Sequence, residues 1–287
     1  MQQQNRPLIT VAMVSYNSSE YINEAIDSVL ASSYTNFELL ISDDCSTDNT
    51  WELITAYSDA RINAVRHNHN IGEYNNRNYC LKEATGQYII YIDGDDKIMP
   101  HGLETYSKEA EKHKDCGMII SRPYVAYKSY SSQEAYQRHF LSDNSFLNLA
   151  LVRVLFNKTL FLALGGFSEK YKSGDDYARL LMAAHHPTLI IPEGLVWWRK
   201  SPNSASNRLF NSYSGVQEPF SIKYTFLNST NLLSKEEYKQ ARRNLDYKLL
   251  NVIKSLIKKG KLLWLIRLMS EYKAISNLEL SQTKYKN

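Results

Sequence analysis

Tyr88-Ile89-Ile90-Tyr91-Ile92-Asp93-Gly94-Asp95-Asp96 decides how the rest of this chain is read. Five apolar or aromatic residues in a row have the length and composition of a strand buried on both faces. Three carboxylates crowd its tip, where like charges repel. They are either a solvated acidic turn, because Asp and Gly are ordinary turn residues, or a seat for a divalent cation. Oxygen-rich carboxylate sites suit Mg²⁺ or Mn²⁺, commonly shared with a phosphate-bearing substrate. The stretch alone leaves both readings open.

On its N-terminal side, residues 8–14 form a β-rich apolar run, followed by helical spacing at Tyr21, Ile22, Ala25, Ile26, Val29 and Leu30. Residues 37–41 read as a second strand ending in Asp43-Asp44, and residues 62–65 as a short third. A helix is expected over 78–84, with Gly86 after it. Beyond the acidic tip come a helix near 102–114 and a strand over 117–121. Strands alternating with helices predict an α/β fold with a mostly parallel central sheet flanked by helices. Ligands in such sheets sit at the carboxyl ends of the strands. Val14-Ser15-Tyr16-Asn17, Asp43-Asp44 and Asp93-Gly94-Asp95-Asp96 are thereby expected on one edge.

Residues 123–145, rich in Tyr, Ser and Gln, read as a long loop or irregular lid. An apolar stretch over 151–164 ends at Gly165-Gly166-Phe167, and Asp175-Asp176 open a helix. Residues 189–191 and 195–198 read as short strands, and Ser201-Pro202-Asn203-Ser204 as a turn that closes the main domain. From about Ser221 the tail is expected to be helical. The division is a domain over 1–206 and a basic helical extension over 207–287.

Composition narrows the classes. At 287 residues and 43% hydrophobic, the chain suffices for one large domain with an extension. Residues 235–287 hold 13 Lys and Arg against 5 Asp and Glu, so the net charge of +4 belongs to the tail. The remainder carries 34 − 13 = 21 basic and 30 − 5 = 25 acidic residues, which argues against a nucleic-acid-binding body. Cys45, Cys80 and Cys116 include no CxxC pair, and free thiols in a reducing compartment fit best. No run approaches the roughly 18 apolar residues that span a bilayer. Met1-Gln2-Gln3-Gln4-Asn5-Arg6-Pro7 has no signal-peptide core. A cytoplasmic location is expected. Lys254, Lys258, Lys259, Lys261 and Arg267 around Leu262-Leu263-Trp264-Leu265-Ile266 read either as a solvated face or as an interfacial helix at the inner face of a membrane.

No Walker-type loop and no GxGxxG is present. The ordered series Val14-Ser15-Tyr16-Asn17, Asp43-Asp44-Cys45-Ser46-Thr47-Asp48, Asn70-Ile71-Gly72 with Arg77-Asn78, Asp93-Gly94-Asp95-Asp96, Gly165-Gly166-Phe167, Asp175-Asp176 and Trp198-Arg199 resembles the signatures of family 2 glycosyltransferases of the GT-A fold. The resemblance covers about residues 7–206. It implies a Rossmann-like GT-A domain and inverting transfer from a nucleotide sugar, expected to be UDP-linked. The acceptor implied is a glycan or lipid-linked saccharide, and the cofactor Mn²⁺ or Mg²⁺. Tyr16 would stack near the nucleobase, Asp44 would accept a hydrogen bond from uracil with Asp43 in support, and Arg77 would lie near the nucleotide. Asp95 would ligate the metal directly, Asp93 would touch the ribose or the metal, and Asp96 is an additional candidate. Asp176 would be the catalytic base, and Arg199 would lie near the diphosphate.

Three departures stand out. Cys45 replaces a common Gly, Asp175 replaces a more usual Glu, and Ser201 replaces a frequent His. A polyprenyl-phosphate sugar synthase is the near alternative, and a non-catalytic nucleotide-sugar-binding partner the distant one. A nucleotidyltransferase fits less well, because its Gly-rich basic loop is missing after residues 8–14.

Overall fold

The computed structural model describes residues 6–199 and 205–282, the backbone alone for 205–206 and 274–282. Residues 1–5, part of the segment read for a leader, and the turn at Ser201-Pro202-Asn203-Ser204 lie outside the described residues. So does the departure at Ser201.

The elements run β1 (Ile9–Ser15), α1 (Ile22–Leu30), β2 (Phe37–Asp43), α2 (Thr50–Thr55), β3 (Ile62–Arg66), α3 (Glu73–Glu83), β4 (Tyr88–Tyr91), β5 (Lys97–Ile98), α4 (Gly102–Lys112) and β6 (Met118–Ser121). They continue as β7 (Lys128–Tyr130), α5 (Ser132–Leu141), a 3₁₀ turn (Leu151–Arg153), β8 (Val154–Asn157), α6 (Lys158–Ala163), α7 (Gly174–His185), β9 (Thr188–Ile191) and β10 (Val196–Trp197). The chain then becomes helical through α8 (Ala205–Phe210), α9 (Tyr213–Ser229), α10 (Lys235–Lys258) and α11 (Leu262–Gln282).

Eight strands form one sheet in the order β3-β2-β1-β4-β8-β6-β9-β7, and β5 pairs with β10 separately. Strands β3, β2, β1 and β4 are mutually parallel, β8 runs against both β4 and β6, and β7 runs against β9. The alternation of side chains along β1 explains its unbroken apolar sequence. Ala12 and Val14 enter one core with Ile89 and Tyr91, while Ile9, Val11 and Met13 enter the other with Ile90. The register Ser15↔Asp43 sets the ends of β1 and β2 level. Gly94 N donates to Val14 O at 3.2 Å, which brings the acidic tip beside them. The polar clusters therefore share one edge, as the parallel alternation predicts.

Three expectations change. Residues 123–145 are not an irregular loop, because they hold β7 and α5. A capping box at Ser131 and Glu134 starts that helix, and Ala135, Tyr136 and Phe140 bury it in the core. Its other positions, Leu141 apart, are polar, which hid the period. Helix α3 begins at Glu73 rather than near 78, since Asn76 and Arg77 are buried for polar reasons and interrupt any apolar stripe. The helical tail begins before Ser221, and α9 even carries Pro219 within it.

The tail packs on the body. Gln137 of α5 donates to Glu237 of α10 at 2.7 Å, and Asn244 of α10 donates to Phe140 O at 3.2 Å. Among the described residues no helix is long and apolar enough to cross a membrane.

Candidate active site

A cleft of about 1110 Å³ opens at this sheet edge. Arg77, Asp93, Asp95, Asp96, Asp176 and Arg199 all line it, although they are spread over more than a hundred residues of sequence. Tyr16, Asp43 and Asp44 stand at the same edge but outside the lining of that cleft.

The acidic tip is organised by two arginines. Arg77 reaches from α3 and grips Asp93 with both Nη atoms at 2.7 and 2.8 Å, while Nη2 also meets Glu73 at 2.9 Å. Tyr91 donates to the Arg77 carbonyl at 3.0 Å, which fixes this part of α3 over β4. Arg199 follows β10; its backbone N donates to Asp96 at 2.9 Å, its Nε to the Asp95 carbonyl at 2.9 Å, and Nη2 to Glu24 at 2.9 Å. Its guanidinium also covers the Tyr21 ring at 3.9 Å. Among the described residues, no other residue donates a hydrogen bond to the Asp95 carboxylate.

Negative charge here is under-compensated. Burial, and then the Asp93 carboxylate, push Asp95 up to about 6. Burial, Asp93 and Asp95 together push Asp96 up to about 8. A cation would relieve both. It would find no finished cage, because His113, Asp115 and Cys116 form the one group of three His, Cys, Asp or Glu ligand atoms within 4.8 Å of one another among the described residues. Cys116 lies two residues before β6, at the opposite sheet edge. A hard cation fits the acidic tip if Asp95 supplies one oxygen and a diphosphate supplies others, the usual habit of Mg²⁺. Asp93 is less available, since Arg77 already holds both its oxygens.

The turns beside the cleft are mutually clamped. Asp43 is fully buried and accepts from Ser46 N at 3.0 Å and Ser15 Oγ at 3.2 Å. Asp44 accepts from Ile71 N at 2.7 Å and Gly72 N at 3.0 Å, so it holds the loop leading into α3. A carboxylate has capacity for a further donor. Asn17 Oδ1 accepts from Thr47 N at 2.8 Å, which ties the end of β1 to the turn after β2. Cys45 has φ +61°, the left-handed region that favours glycine, so the departure from Gly preserves the turn at some backbone strain. Tyr16 is half exposed.

Across the cleft, α7 presents Asp175 and Asp176 in its first turn, where the helix dipole favours ionised acids. Gly174 is required there because a Cβ would meet the Tyr74 ring at 2.8 Å. Arg179, one turn later and almost wholly buried, donates to Asp175 at 2.9 Å, to Leu147 O at 2.8 Å and, through Nη2, to Asp176 Oδ1. The other Asp176 oxygen accepts nothing among the described residues and is open to the cleft. Burial raises the Asp176 carboxyl; Arg179 opposes this, and Asp175 adds to it. Burial alone would raise Asp175 as well, but the Arg179 guanidinium holds it below the ordinary range. The two neighbouring acids are thus pushed apart, and Asp176 is the more basic.

Sequence reasoning missed Tyr74, Arg179 and Lys223. Arg179 had a signal, because an Arg three residues after one carboxylate and four after another meets both on a helix face. Tyr74 donates to the Lys172 carbonyl at 3.0 Å and ties α3 to the start of α7. Lys223 comes from α9, and no local motif marks it. Helix α9 also anchors α7, since Glu218 accepts from Ser173 N at 2.8 Å.

Residues 10–170 match the family described as Glycosyl transferase family 2. The chain is 38% identical over 175 residues to UDP-Glc:alpha-D-GlcNAc-diphosphoundecaprenol beta-1,3-glucosyltransferase WfaP of Escherichia coli, covering 60% of this chain and 68% of the relative. It is 40% identical over 101 residues to the putative teichuronic acid biosynthesis glycosyltransferase TuaG of Bacillus subtilis, covering 34% of this chain and 40% of the relative. Residues 1–349 of TarS from S. aureus, in complex with UDP-GlcNAc, share the fold with a TM-score of 0.66 at 17% identity, over 81% of this chain and 70% of that one. Mannosyltransferase PcManGT from Pyrobaculum calidifontis, in complex with GDP-Man and Mn2+, superposes with a TM-score of 0.65 at 15% identity, over 98% of this chain and 85% of that one.

Proposed function

This chain is a glycosyltransferase of family 2, and from that premise we propose that it transfers the sugar of a UDP-linked donor, with inversion at the anomeric carbon, to a hydroxyl of a lipid-linked saccharide in surface polysaccharide synthesis. The observation that carries this reading is one cleft with an acidic strand tip on one wall and, on the opposite wall, a carboxylate with one oxygen fixed and one open. WfaP, by its name, moves glucose from UDP to such an acceptor.

In the proposed reaction the open Asp176 oxygen accepts the proton of the acceptor hydroxyl. That hydroxyl oxygen bonds to the anomeric carbon from the face opposite the nucleotide. The bond from the anomeric carbon to the diphosphate oxygen breaks, and its electron pair leaves with the diphosphate. Arg179 holds Asp176 in position throughout, and burial keeps it basic enough to take the proton. Arg199 orders the backbone of the acidic tip, and Arg77 fixes Asp93. Asp95, with Asp93 beside it, would hold Mn²⁺ or Mg²⁺, which when bound offsets charge on the departing diphosphate. Tyr16 and Asp44 are proposed to meet the nucleobase, with Asp43 bracing the turn behind them. An Asp176 with an open oxygen favours a hydroxyl acceptor, since an ionised phosphate acceptor needs no base.

The extension is part of the working enzyme in this reading, because α9 forms one wall of the cleft. We also place α11 at an anionic lipid surface. Leu262, Leu263, Ile266 and Met269 are exposed along it, with Lys258, Lys259 and Lys261 just before them. Trp264 is turned inward against Tyr213. The acceptor's lipid would lie on the same side as that surface.

The test is a panel of nucleotide sugars incubated with Mn²⁺, Mg²⁺ or EDTA and assayed for release of nucleotide diphosphate. Turnover with one UDP-sugar and a loss of at least about 10³-fold in EDTA is expected. Full activity in EDTA, or no release from any donor, contradicts the proposal.

A further inference from the structure

At the sheet edge opposite the cleft, the chain passes from α4 to β6 through His113-Lys114-Asp115-Cys116. The turn is tight, since Cys116 N donates to the His113 carbonyl at 3.1 Å. It brings a ring nitrogen of His113, a carboxylate oxygen of Asp115 and Sγ of Cys116 within 4.8 Å of one another. A cluster of acids alone would be an ordinary surface feature. An imidazole, a carboxylate and a thiol gathered within four residues are a mixed ligand set, and sulfur with imidazole selects zinc over magnesium or manganese.

The hydrogen bonds of the imidazole point the same way. His113 Nε2 lies 2.7 Å from Tyr127 Oη, and Tyr127 Oη donates to Glu109 Oε2 at 2.6 Å. Glu109 is a carboxylate that also holds Lys112 at 2.7 Å, so it can only accept. The phenol has one proton, and that proton is spent on Glu109. Tyr127 must therefore accept from His113, which puts the ring hydrogen on Nε2 and leaves the lone pair of the neutral ring on Nδ1. Metal-ligating histidines are commonly held in this manner, by a chain from the other ring nitrogen to a carboxylate. Cys116 is 2% exposed, and its Sγ has a long contact with Ser129 Oγ at 3.9 Å. Asp115 is exposed and gives a hydrated ion a way in. Zinc bonds of about 2.0–2.3 Å at tetrahedral angles place ligand atoms roughly 3.3–3.8 Å apart, so side-chain rotation of about 1 Å completes the site.

We propose that His113, Asp115 and Cys116 bind one Zn²⁺, with the fourth position left to water. Binding releases the thiol proton to solvent, and thiolate, imidazole and carboxylate each give an electron pair to the ion. The site lies at the sheet edge opposite Asp95 and Asp176, so its ion takes no part in sugar transfer, and the inference does not depend on the transferase reading. Its part is structural. The ion fixes the turn between α4 and β6 and, through His113 and Tyr127, the chain entering β7, which is the outermost strand of the sheet.

The test is titration of the full metal-free chain with Co²⁺ under reducing conditions, followed by competition with Zn²⁺. Co²⁺ accepts the same ligands, and a bound thiolate adds a charge-transfer band in the near ultraviolet. One equivalent of that band is expected, with Zn²⁺ displacing Co²⁺ at a Kd of about 10 µM or tighter. A large excess of Mn²⁺ or Mg²⁺ should leave the band in place, which separates this site from the acidic strand tip. The band should vanish in Cys116→Ser. Asp115→Asn and Tyr127→Phe, both at exposed positions where folding is not at stake, should each weaken Zn²⁺ binding about 10- to 100-fold. Absence of the band, its persistence in Cys116→Ser, its loss to Mn²⁺ or Mg²⁺, a weaker Kd for Zn²⁺, or unchanged affinity in Asp115→Asn or Tyr127→Phe overturns the proposal. Should Cys116→Ser fail to fold, the band of the natural sequence and the two exposed variants decide. Failure of the transferase reading shows separately, as no diphosphate release from any nucleotide sugar.

Discussion

The two walls of the cleft are built on opposite plans. On the sheet wall most charged groups are answered from within the protein: Arg77 binds Asp93 and Glu73, and Arg199 spans Asp96, the Asp95 carbonyl and Glu24. Among the described residues, no other residue donates a hydrogen bond to the Asp95 carboxylate there, and Asp96 accepts one. On the helical wall Arg179 fixes Asp175 and one Asp176 oxygen, while the other Asp176 oxygen and the buried His139 Nε2 have no hydrogen-bond partner among the described residues. The difference teaches where each part of the chemistry is prepared. A leaving diphosphate with its cation needs a rigid, pre-paired scaffold with one ligand position left. An incoming acceptor needs groups held in place with their bonding capacity unspent.

This contrast can be broken from either wall. The largest effect is expected from Arg77→Met, which leaves Asp93 and Glu73 without their shared partner at a buried position. Removing one partner of a buried ion pair costs about 3–5 kcal/mol; with Asp93 partly exposed, the lower end applies. A fall in Tm of roughly 6–12 °C follows for a chain of this size. Calorimetry on Arg77→Met and on Arg77→Met with Asp93→Asn checks it, and the double variant should recover part of the loss. A single variant as stable as the natural sequence would show that the donor wall is not held by this pairing.

A smaller effect sharpens the acceptor wall. Asp176 must be ionised to accept a proton, and its folded pKa is raised, first of all by burial. Activity should therefore be full above that raised pKa and fall as pH drops through it, at a pH above the 3.8 of an ordinary aspartate. Arg179→Met removes the cation that opposes the shift, so the acid limb of kcat/KM should move to higher pH. A limb unmoved in that variant would assign the titration to another group. The smallest catalytic effect belongs to α11. Leu263→Glu should weaken binding to anionic vesicles while turnover of a water-soluble acceptor stays within about twofold. Unchanged vesicle binding would leave α11 as a solvated face.

The sheet wall was legible in the sequence because strands buried on both faces advertise themselves and parallel order forces their polar ends together. Asp43-Asp44 and Asp93-Gly94-Asp95-Asp96 could be placed on one edge from that rule alone. What Asp43 and Asp44 bond to was not readable, since their partners at Ser46, Ile71 and Gly72 depend on turn geometry. Helix α3 was half missed because Asn76 and Arg77 are buried for polar contacts rather than for an apolar stripe. Residues 123–145 were misread because α5 buries a few aromatic positions among polar ones. Asp176 was reachable through the ordered series of motifs, but Lys223 and His139 were not. They meet Asp176 only because α9 and α5 pack against α7, a long-range consequence with no local spacing to betray it.

The division of labour between the walls is tested most directly by diphosphate release from a UDP-sugar with Mn²⁺, measured with and without acceptor, for the natural sequence and for Asp176→Asn. The natural sequence should release diphosphate slowly alone and much faster with acceptor. Asp176→Asn should keep the slow release and metal affinity, and lose about 10²- to 10⁴-fold of the acceptor-stimulated rate. Acceptor-stimulated transfer that survives undiminished in Asp176→Asn would contradict the account.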